Sequence, residues 1–474
     1  MAAKMSDRSG DRTGSRLSKP VSRRELLKGT AALGLALGGS LGGSKALSGS
    51  APSAPGKGGP VTLNLLLWEH WKVVEGLQKN DPTNVPKRRM WFYESIKRFE
   101  AEHKDIKLEY QTANWNVATQ AFIAASQAGN PPDILGAQSQ DNQPLATAGY
   151  VADLGQFKYD EWDDFSQPVL REACSVGGKI VAMPTYLTST GLGYNKALLA
   201  QAGVTEPPKT WDDLIRVGKA VTKDTRGTGR PNQWGFGVEL SAASTPNPVS
   251  FTMPMIRSQG SLIVDKDGKG LMDTPEHRKI AKLLSDMYHN HKILSPESLT
   301  MKANDEVEFF ATKAWVTGII IHALLPPTIE KIGAENFGFA PYPTFPGDEP
   351  RSYSEVFAFL MSSKAAKDPR KGPAAWELLK EIGSVKTLVL NAKYQFGAPS
   401  RKSALADPIY KSDPLLRYLA EYTFKTAVPF PFIKEVNFYA ETLIEALNLI
   451  ILLKQPVDEV LKRQQAKYEA KIKA

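Results

Sequence analysis

A chain of 474 residues with 59 Lys+Arg, 50 Asp+Glu, 42% hydrophobic residues and one cysteine is long enough for two or three domains with real cores. At 23% charged and 9% aromatic residues it lacks the high charge and low hydrophobicity of a disordered chain. The single cysteine, Cys174, excludes an intramolecular disulfide framework and every multi-cysteine metal or iron–sulfur site.

The net charge of +9 is unevenly placed: residues 1–46 hold nine bases against three acids, so +6 lies there and +3 on the remainder. Behind the bases runs Gly29-Thr-Ala-Ala-Leu-Gly-Leu-Ala-Leu-Gly-Gly-Ser40, apolar and shorter than the roughly 20 residues that span a bilayer. Bases followed by a short apolar run have the form of an export signal. The junction Ser22-Arg23-Arg24-Glu25-Leu26-Leu27-Lys28 resembles the twin-arginine signal, which implies the twin-arginine translocase as a partner during export. Small residues at Ser44 and Ala46, or at Gly49 and Ala51, are candidate cleavage sites. Residues 1–50 are therefore read as signal and leader, and 51–60 as a linker. No cysteine follows the apolar run, so a lipoprotein anchor is not expected. A basic nucleic-acid-binding arm is the alternative, and the paired arginines and apolar run speak against it.

In chain order, Val61-Thr-Leu-Asn-Leu-Leu-Leu67 predicts a buried strand, 91–103 a helix, Ile106-Lys-Leu-Glu-Tyr110 an alternating strand, 118–128 a helix and Asp133-Ile-Leu135 a third strand. This alternation is an α/β signature. Thr210-Trp-Asp-Asp213 has the capping-box pattern and opens a helix through Leu214, Val217 and Val221. Further helices are expected at 275–291 and 373–382, and 326–350, crowded with proline and glycine, as a connection between lobes. Leu443, Ala446, Leu447, Ile450 and Ile451 fall at the spacing of a helix packed on a core.

Two stretches carry a recognisable pattern. In the first, Pro131-Pro-Asp-Ile-Leu leads through Gln138-Ser-Gln-Asp-Asn to Gly149-Tyr-Val-Ala-Asp-Leu154. In the second, Gly177-Gly-Lys-Ile-Val-Ala-Met-Pro-Thr-Tyr186 leads through Gly191-Leu-Gly-Tyr-Asn-Lys196 to Pro207-Pro-Lys-Thr-Trp-Asp-Asp-Leu214. In order and spacing these resemble the family-1 extracellular solute-binding proteins of ABC transporters, the sugar-binding group, over about 61–474.

The resemblance implies an α/β, two-lobed periplasmic-binding-protein fold of type II kind, each lobe a mainly parallel sheet flanked by helices, with the ligand in the cleft between them. Lobe 1 is expected at 61–185 and about 325–395, lobe 2 at 186–324 and about 396–474. It further implies a periplasmic monomer that performs no chemistry, needs no cofactor or metal, binds no nucleic acid, and delivers a sugar to an ABC permease. Two departures stand out. The segment 71–89 is longer than the family usually has, and Ile319-Ile-Ile-His322 follows Gly318 where the family often places a sugar-stacking tryptophan. His322 and 71–89 are thus candidates for reshaping the cleft.

In an open α/β lobe, ligands sit beyond the carboxyl ends of the strands. Trp68, Glu69 and His70 follow the first strand, Asn114 and Trp115 the second, and Gln138, Ser139 and Asp141 the third. Sugars need flat aromatic faces for stacking and planar amides or carboxylates for their hydroxyls. Trp68, Trp115 and Tyr186 are candidate faces; Glu69, Asn114, Gln138, Asp141 and Glu355 are candidate polar contacts. Tyr353 and Glu355 adjoin one expected lobe crossing, Phe396 and Arg401 another. The alternatives are an exported carbohydrate-active hydrolase using Glu69, Asp141 or Glu355, and the same fold holding a peptide, polyamine or anion. Basic side chains converging on the cleft would favour an anion, stacked aromatics a sugar. No sequence signature fixes a catalytic pair of carboxylates. His289 and His291 do not share a helical face, and Cys174 is expected as a buried small residue.

Overall fold

The structure is a computed structural model that describes residues 59–244 and 247–473, without the side chains of His70, Trp115 and Asn116. The expected signal with Arg23 and Arg24 lies outside the described residues. Pro60–Ala474 form one compact unit. In chain order its strands are β1 (Val61–Trp68), β2 (Ile106–Ala113), β3 (Ile134–Gln138), the short pair β4 (Ser175–Val176) and β5 (Lys179–Ile180), β6 (Met183–Leu187), β7 (Thr190–Asn195), β8 (Trp234–Gly237), β9 (Trp315–Ile321), β10 (Phe337–Ala340), β11 (Ser352–Ser354), β12 (Val356–Met361), β13 (Ala398–Pro399) and β14 (Ala427–Pro429).

Lobe 1 is built on a sheet ordered β13-β6-β12-β3-β1-β2, lobe 2 on one ordered β10-β7-β9-β8. The α/β, two-lobed fold is the one expected, but the sheets are mixed and not mainly parallel. β1 is parallel to β2 and β3, whereas β12 is antiparallel to both β3 and β6. In lobe 2, β7 is antiparallel to β9 and β10, and β8 is parallel to β9. The cause is the crossing between lobes. A strand that enters from the other lobe starts at the cleft, where the local strands end, so it runs against them.

The helices follow their sequence signals. Met90–Glu102 buries Trp91, Phe92, Ile96 and Phe99 at helical spacing. The Thr210 hydroxyl accepts from the Asp213 amide at 3.1 Å and caps Trp211–Val221. In Val436–Leu453 the stripe Leu443, Ala446, Leu447, Ile450 and Ile451 is buried in the lobe 2 core, so the most membrane-like described helix is a core element. Cys174 is buried, as expected.

The stretch 326–350 is not the connection that its prolines suggested. It completes the helix Leu325–Ile332 and supplies β10, which pairs with β7 inside lobe 2. Pro326 and Pro327 stand in the first helical turn, where no N–H partner is required. The expected lobe boundary near 325 therefore moves to Glu355, and β13 returns 398–399 to lobe 1.

The chain passes from β6 to β7 at 188–189 and back from β11 to β12 at 355, and side-chain hydroxyls hold these crossings together. The Ser352 hydroxyl receives the Thr190 amide and donates to the Thr190 carbonyl, both at 3.0 Å. The Tyr353 amide donates to the Thr190 hydroxyl at 3.1 Å, and the Glu355 amide to the Thr188 hydroxyl at 2.6 Å. Ser354 donates to the Thr188 carbonyl at 2.8 Å. Thr190, Ser352 and Ser354 are fully buried, so each bond satisfies a group that water cannot reach. Replacing Thr190 by Val keeps its shape and strands the Tyr353 amide; the expected cost is about 1–3 kcal/mol of stability, read as a lower urea midpoint with an unchanged slope.

Candidate functional site

Two cavities adjoin between the lobes, and Glu355, at the crossing, lines both. The first, of about 320 Å³, takes Thr119, Gln138, Gln140 and Asp141 from lobe 1 and Asn247, Ser250, Phe430 and Phe432 from the facing side, with Tyr353 at the crossing. The second, of about 500 Å³, takes Arg88, Arg89, Tyr186, Gln395 and Phe396 from lobe 1 and Asn304, His322 and Glu330 from lobe 2. Both volumes fall in the range of small-ligand sites.

In the first cavity the end of β3 sets the geometry. Gln138 is the N-cap of the helix Ser139–Thr147, and the Asp141 carboxylate accepts the Gln138 amide at 3.1 Å in a capping box. The Gln140 amide donates to the Gln138 side-chain oxygen at 2.8 Å, while the Gln140 oxygen is buried without a partner. Removal from water raises the Asp141 carboxyl above its ordinary range, against the hydrogen bonds from Gln138 and Thr119. Glu355 is pushed up to about 8, first by removal from water and then by the facing charge of Asp141, with Gln140 and Tyr353 opposing as hydrogen-bond partners. Glu355 thus keeps its proton to higher pH than an ordinary glutamate and, where protonated, can donate as well as accept. Across the cavity, Phe430 and Phe432 flank Pro431 after β14, and Phe432 packs over Gly268, a turn residue at φ +80°. A Cβ on Gly268 would meet the Phe432 ring at 3.0 Å.

In the second cavity, Tyr186 stacks on Phe357 at 4.7 Å between centroids. Arg89 is 7% exposed; its Nη1 donates to the Tyr186 hydroxyl at 3.4 Å and the Gln395 side-chain oxygen at 3.3 Å, and its guanidinium lies 4.6 Å from the Trp71 ring centre. The buried His322 Nδ1 accepts the Ser189 amide at 3.1 Å. Its pKa is down to about 3, chiefly through burial, with the Arg89 charge adding to the effect. Phe396, at φ +60°, ends the helix Val385–Gln395 in the left-handed conformation and lines the cavity.

Gln138, Asp141, Tyr353 and Glu355 thus meet in the first cavity, and Tyr186, His322, Phe396 and Glu355 in the second. Ser139 lines neither cavity, and its hydroxyl donates to the Phe430 carbonyl at 3.2 Å, tying lobe 1 to the segment after β14. Trp68 is 4% exposed and packs edge-on to Trp71 and Phe357 at 5.1 and 5.4 Å. It is a core residue, because the strand end that carries it is roofed by 69–71. Glu69 and Asn114 are exposed and line neither cavity. The side chains of His70 and Trp115 lie outside the described ones.

Arg401 is a structural anchor. Its Nε donates to Asp164 at 2.7 Å, its Nη1 to the Tyr159 hydroxyl at 3.1 Å, and its Nη2 to Glu161, so its donors are spent on the 159–164 loop. Asn247, Ser250, Phe430 and Phe432 were not singled out from the sequence, and Arg88 and Arg89 entered only as part of the segment 71–89. The Phe-Pro-Phe repeat was the one available signal, since alternate residues of an extended segment share a side.

A fold of two α/β lobes with a polar and aromatic cleft at their crossing is that of a solute-binding protein. The model of the family described as bacterial extracellular solute-binding protein matches residues 86–396, and the chain belongs to that family. Its location is accordingly an exported one, and the family is one of binding proteins. Among curated relatives, a putative binding protein of Brucella abortus is 24% identical over 290 residues, 61% of this chain and 67% of its own. The diacetylchitobiose binding protein of Streptomyces coelicolor is 26% identical over 320 residues, 65% and 67% of the two chains. Among solved structures, the sugar-binding protein MalE from Xanthomonas citri has a TM-score of 0.72 at 16% identity, covering 87% of this chain and 97% of that one. The cyclic alpha-maltosyl-1,6-maltose binding protein from Arthrobacter globiformis has a TM-score of 0.71 at 17% identity, covering 88% and 100%. At these identities the solved structures establish the fold.

The raised Glu355 sets a pH dependence. Its folded-state value lies above its unfolded one, so its contribution to stability is complete below about 4.5 and is lost as pH rises through about 8. Melting curves from pH 5 to 9 are expected to fall more steeply for the wild type than for Glu355→Gln, by the equivalent of roughly 1–3 kcal/mol. Parallel curves would show that Glu355 is ionised throughout.

Proposed function

We propose that the protein captures a carbohydrate in the interlobe cleft and hands it to an ABC permease, working as a monomer in the periplasm. The observation that carries this reading is the first cavity, where amides, hydroxyls and carboxyls from both lobes converge beside Phe430 and Phe432. Planar polar groups match sugar hydroxyls, and aromatic faces match the apolar side of a pyranose ring. Because the lining comes from both lobes, a bound solute bridges them and favours the closed state by its extra contacts there. The diacetylchitobiose binding protein of Streptomyces coelicolor and the melibiose/raffinose/stachyose-binding protein of Bacillus subtilis support a sugar by their names.

The bound group rests on Gln138, Asp141, Tyr353 and Glu355, joined by Asn247, Ser250 and Phe432. Asp141 and Glu355 act as hydrogen-bond partners. Two carboxyls that hold protons more tightly than usual offer both donors and acceptors, which suits hydroxyls that do both.

A thermal-shift panel of mono- and oligosaccharides is expected to raise the melting temperature with the logarithm of sugar concentration. Phe432→Ala is expected to weaken the bound sugar about tenfold, the worth of one stacked face. A panel with no carbohydrate response, or release of shorter sugars during incubation, overturns the reading.

The export route is the twin-arginine one, with the signal cut after residues 1–50 or near them, as Arg23, Arg24 and the apolar run support. Replacing both arginines by lysine is expected to keep the precursor in the cytoplasm, measured by fractionation and immunoblot. Unchanged export would assign the segment to another route.

A further inference from the structure

The second cavity is unlike the first, because it holds buried hydrogen-bond donors with nothing to receive them. Arg89 is 7% exposed, yet its partners are neutral: the Tyr186 hydroxyl, the Gln395 oxygen and the Trp71 ring. Its Nε is buried without a hydrogen-bond partner. Among the described residues no carboxylate forms an ion pair with Arg89, Arg88 or Lys87. Buried guanidinium groups are ordinarily paired, since an isolated charge in a dry site is costly.

His322 makes the same point independently. It is 1% exposed, and its Nδ1 accepts the Ser189 amide, so the ring proton sits on Nε2. That nitrogen is buried and has no partner. Two separate side chains, one from each lobe, thus hold unmatched donors in the lining of one cavity, with Arg88 and Lys87 beside them.

The carboxyls nearby do not cancel this charge. Glu330 is exposed at the rim, Glu94 receives the Tyr394 hydroxyl at 2.5 Å, and Glu355, shared with the first cavity, faces Asp141 and holds its proton above the usual carboxylate range. The arginines come from the long segment after β1. Trp71, fully buried against Trp91 and Phe92 at 5.7 and 5.3 Å, anchors its start. Asp81 caps the turn at 82–84 by accepting the Thr83 amide at 2.9 Å. The chain is thereby delivered to the cleft edge at 87–89.

We propose that the solute carries a carboxylate, as an acidic sugar of the uronate type does, and that Arg89 and His322, with Arg88 at the mouth, receive that carboxylate in the second cavity. A guanidinium and an imidazole N–H together match the two oxygens of a carboxylate, and charge-assisted bonds of this kind exceed those to a neutral hydroxyl. The proposal rests on the carbohydrate reading of the first cavity: the ring and its hydroxyls occupy the space beside Phe432, and the acid group or an acidic second unit lies past Glu355.

The test is calorimetric titration of the purified protein at pH 7 with D-glucuronate, D-galacturonate and their dimers, each against its neutral counterpart, and with succinate as a carboxylate lacking a sugar ring. An acidic sugar is expected to bind at least about tenfold tighter than its neutral counterpart. That preference is expected to shrink when sodium chloride rises from about 0.05 to 0.5 M. Arg89→Gln should reduce it to less than about threefold, with Arg89→Lys intermediate because it keeps the charge and loses the fork. Arg88→Gln and His322→Gln, which leave the Trp71 contact untouched, should each reduce it in part, so the proposal does not depend on Arg89→Gln folding. Neutral sugars binding as tightly as acidic ones overturn the proposal and leave the carbohydrate reading standing. Succinate binding without any sugar keeps the anion site and overturns the carbohydrate reading. No response to any of these, with every variant folded, overturns both.

Discussion

The junction of the two lobes is where the structure has least freedom. Two of the chain segments that cross there, at 188–189 and 355, leave their sheets, and their amides and carbonyls are sealed from water. Thr188, Thr190, Ser352 and Ser354 settle this by donating and accepting across the gap. A hydroxyl is the suitable group, because it can accept from one amide while donating to a carbonyl. The cleft exists because this junction is narrow. Sheet pairing stops at β6 and β12, resumes at β7 and β11, and leaves Glu355 alone between two cavities.

From that fixed point the cleft divides by charge. On one side, two carboxyls face each other, and removal from water raises both above the ordinary carboxylate range. On the other side, a guanidinium and an imidazole donor are buried with neutral neighbours. The first side resembles a site for hydroxyls, in which proton sharing replaces a counter-ion. The second stores electrostatic free energy that a ligand can release, since an unpaired buried charge gains more from a partner than a paired one does.

The aromatic core of lobe 1 explains how such a charge is tolerated. Trp68, Trp71, Trp91, Phe92, Tyr186 and Phe357 pack edge-on or stacked over centroid distances of 4.7 to 5.7 Å. Within this cluster the Trp71 face provides a weakly attractive surface for the Arg89 guanidinium without neutralising it. Trp68, which looked like a sugar platform in the sequence, thus serves the site from behind, and the half-buried Phe432 stands on the opposite wall.

The sequence by itself determined a subset of the elements. Capping at Thr210, the helical stripes at 91–99 and 443–451, and the β1, β2 and β3 strands all follow from patterns local in the chain, and local hydrogen bonds and periodic burial enforce them. It also pointed to Gln138, Asp141, Tyr186, Tyr353 and Glu355, because strand ends and lobe crossings are where a two-lobed fold places its cleft. Three matters were decided only in three dimensions. Strand direction in the mixed sheets depends on which lobe a strand enters from, and 325–340 belongs to lobe 2 because β10 pairs with β7. Trp68 went to the core and Phe432 to the cleft according to which neighbours roofed them. Arg401 and Arg89 are the sharpest case: both are buried arginines, and the sequence offered Arg401 as a candidate ligand contact and Arg89 only as part of the segment 71–89. One meets Glu161 and Asp164 and becomes an anchor; the other meets only neutral partners and is left with a charge to offer, because pairing depends on residues brought together across the fold.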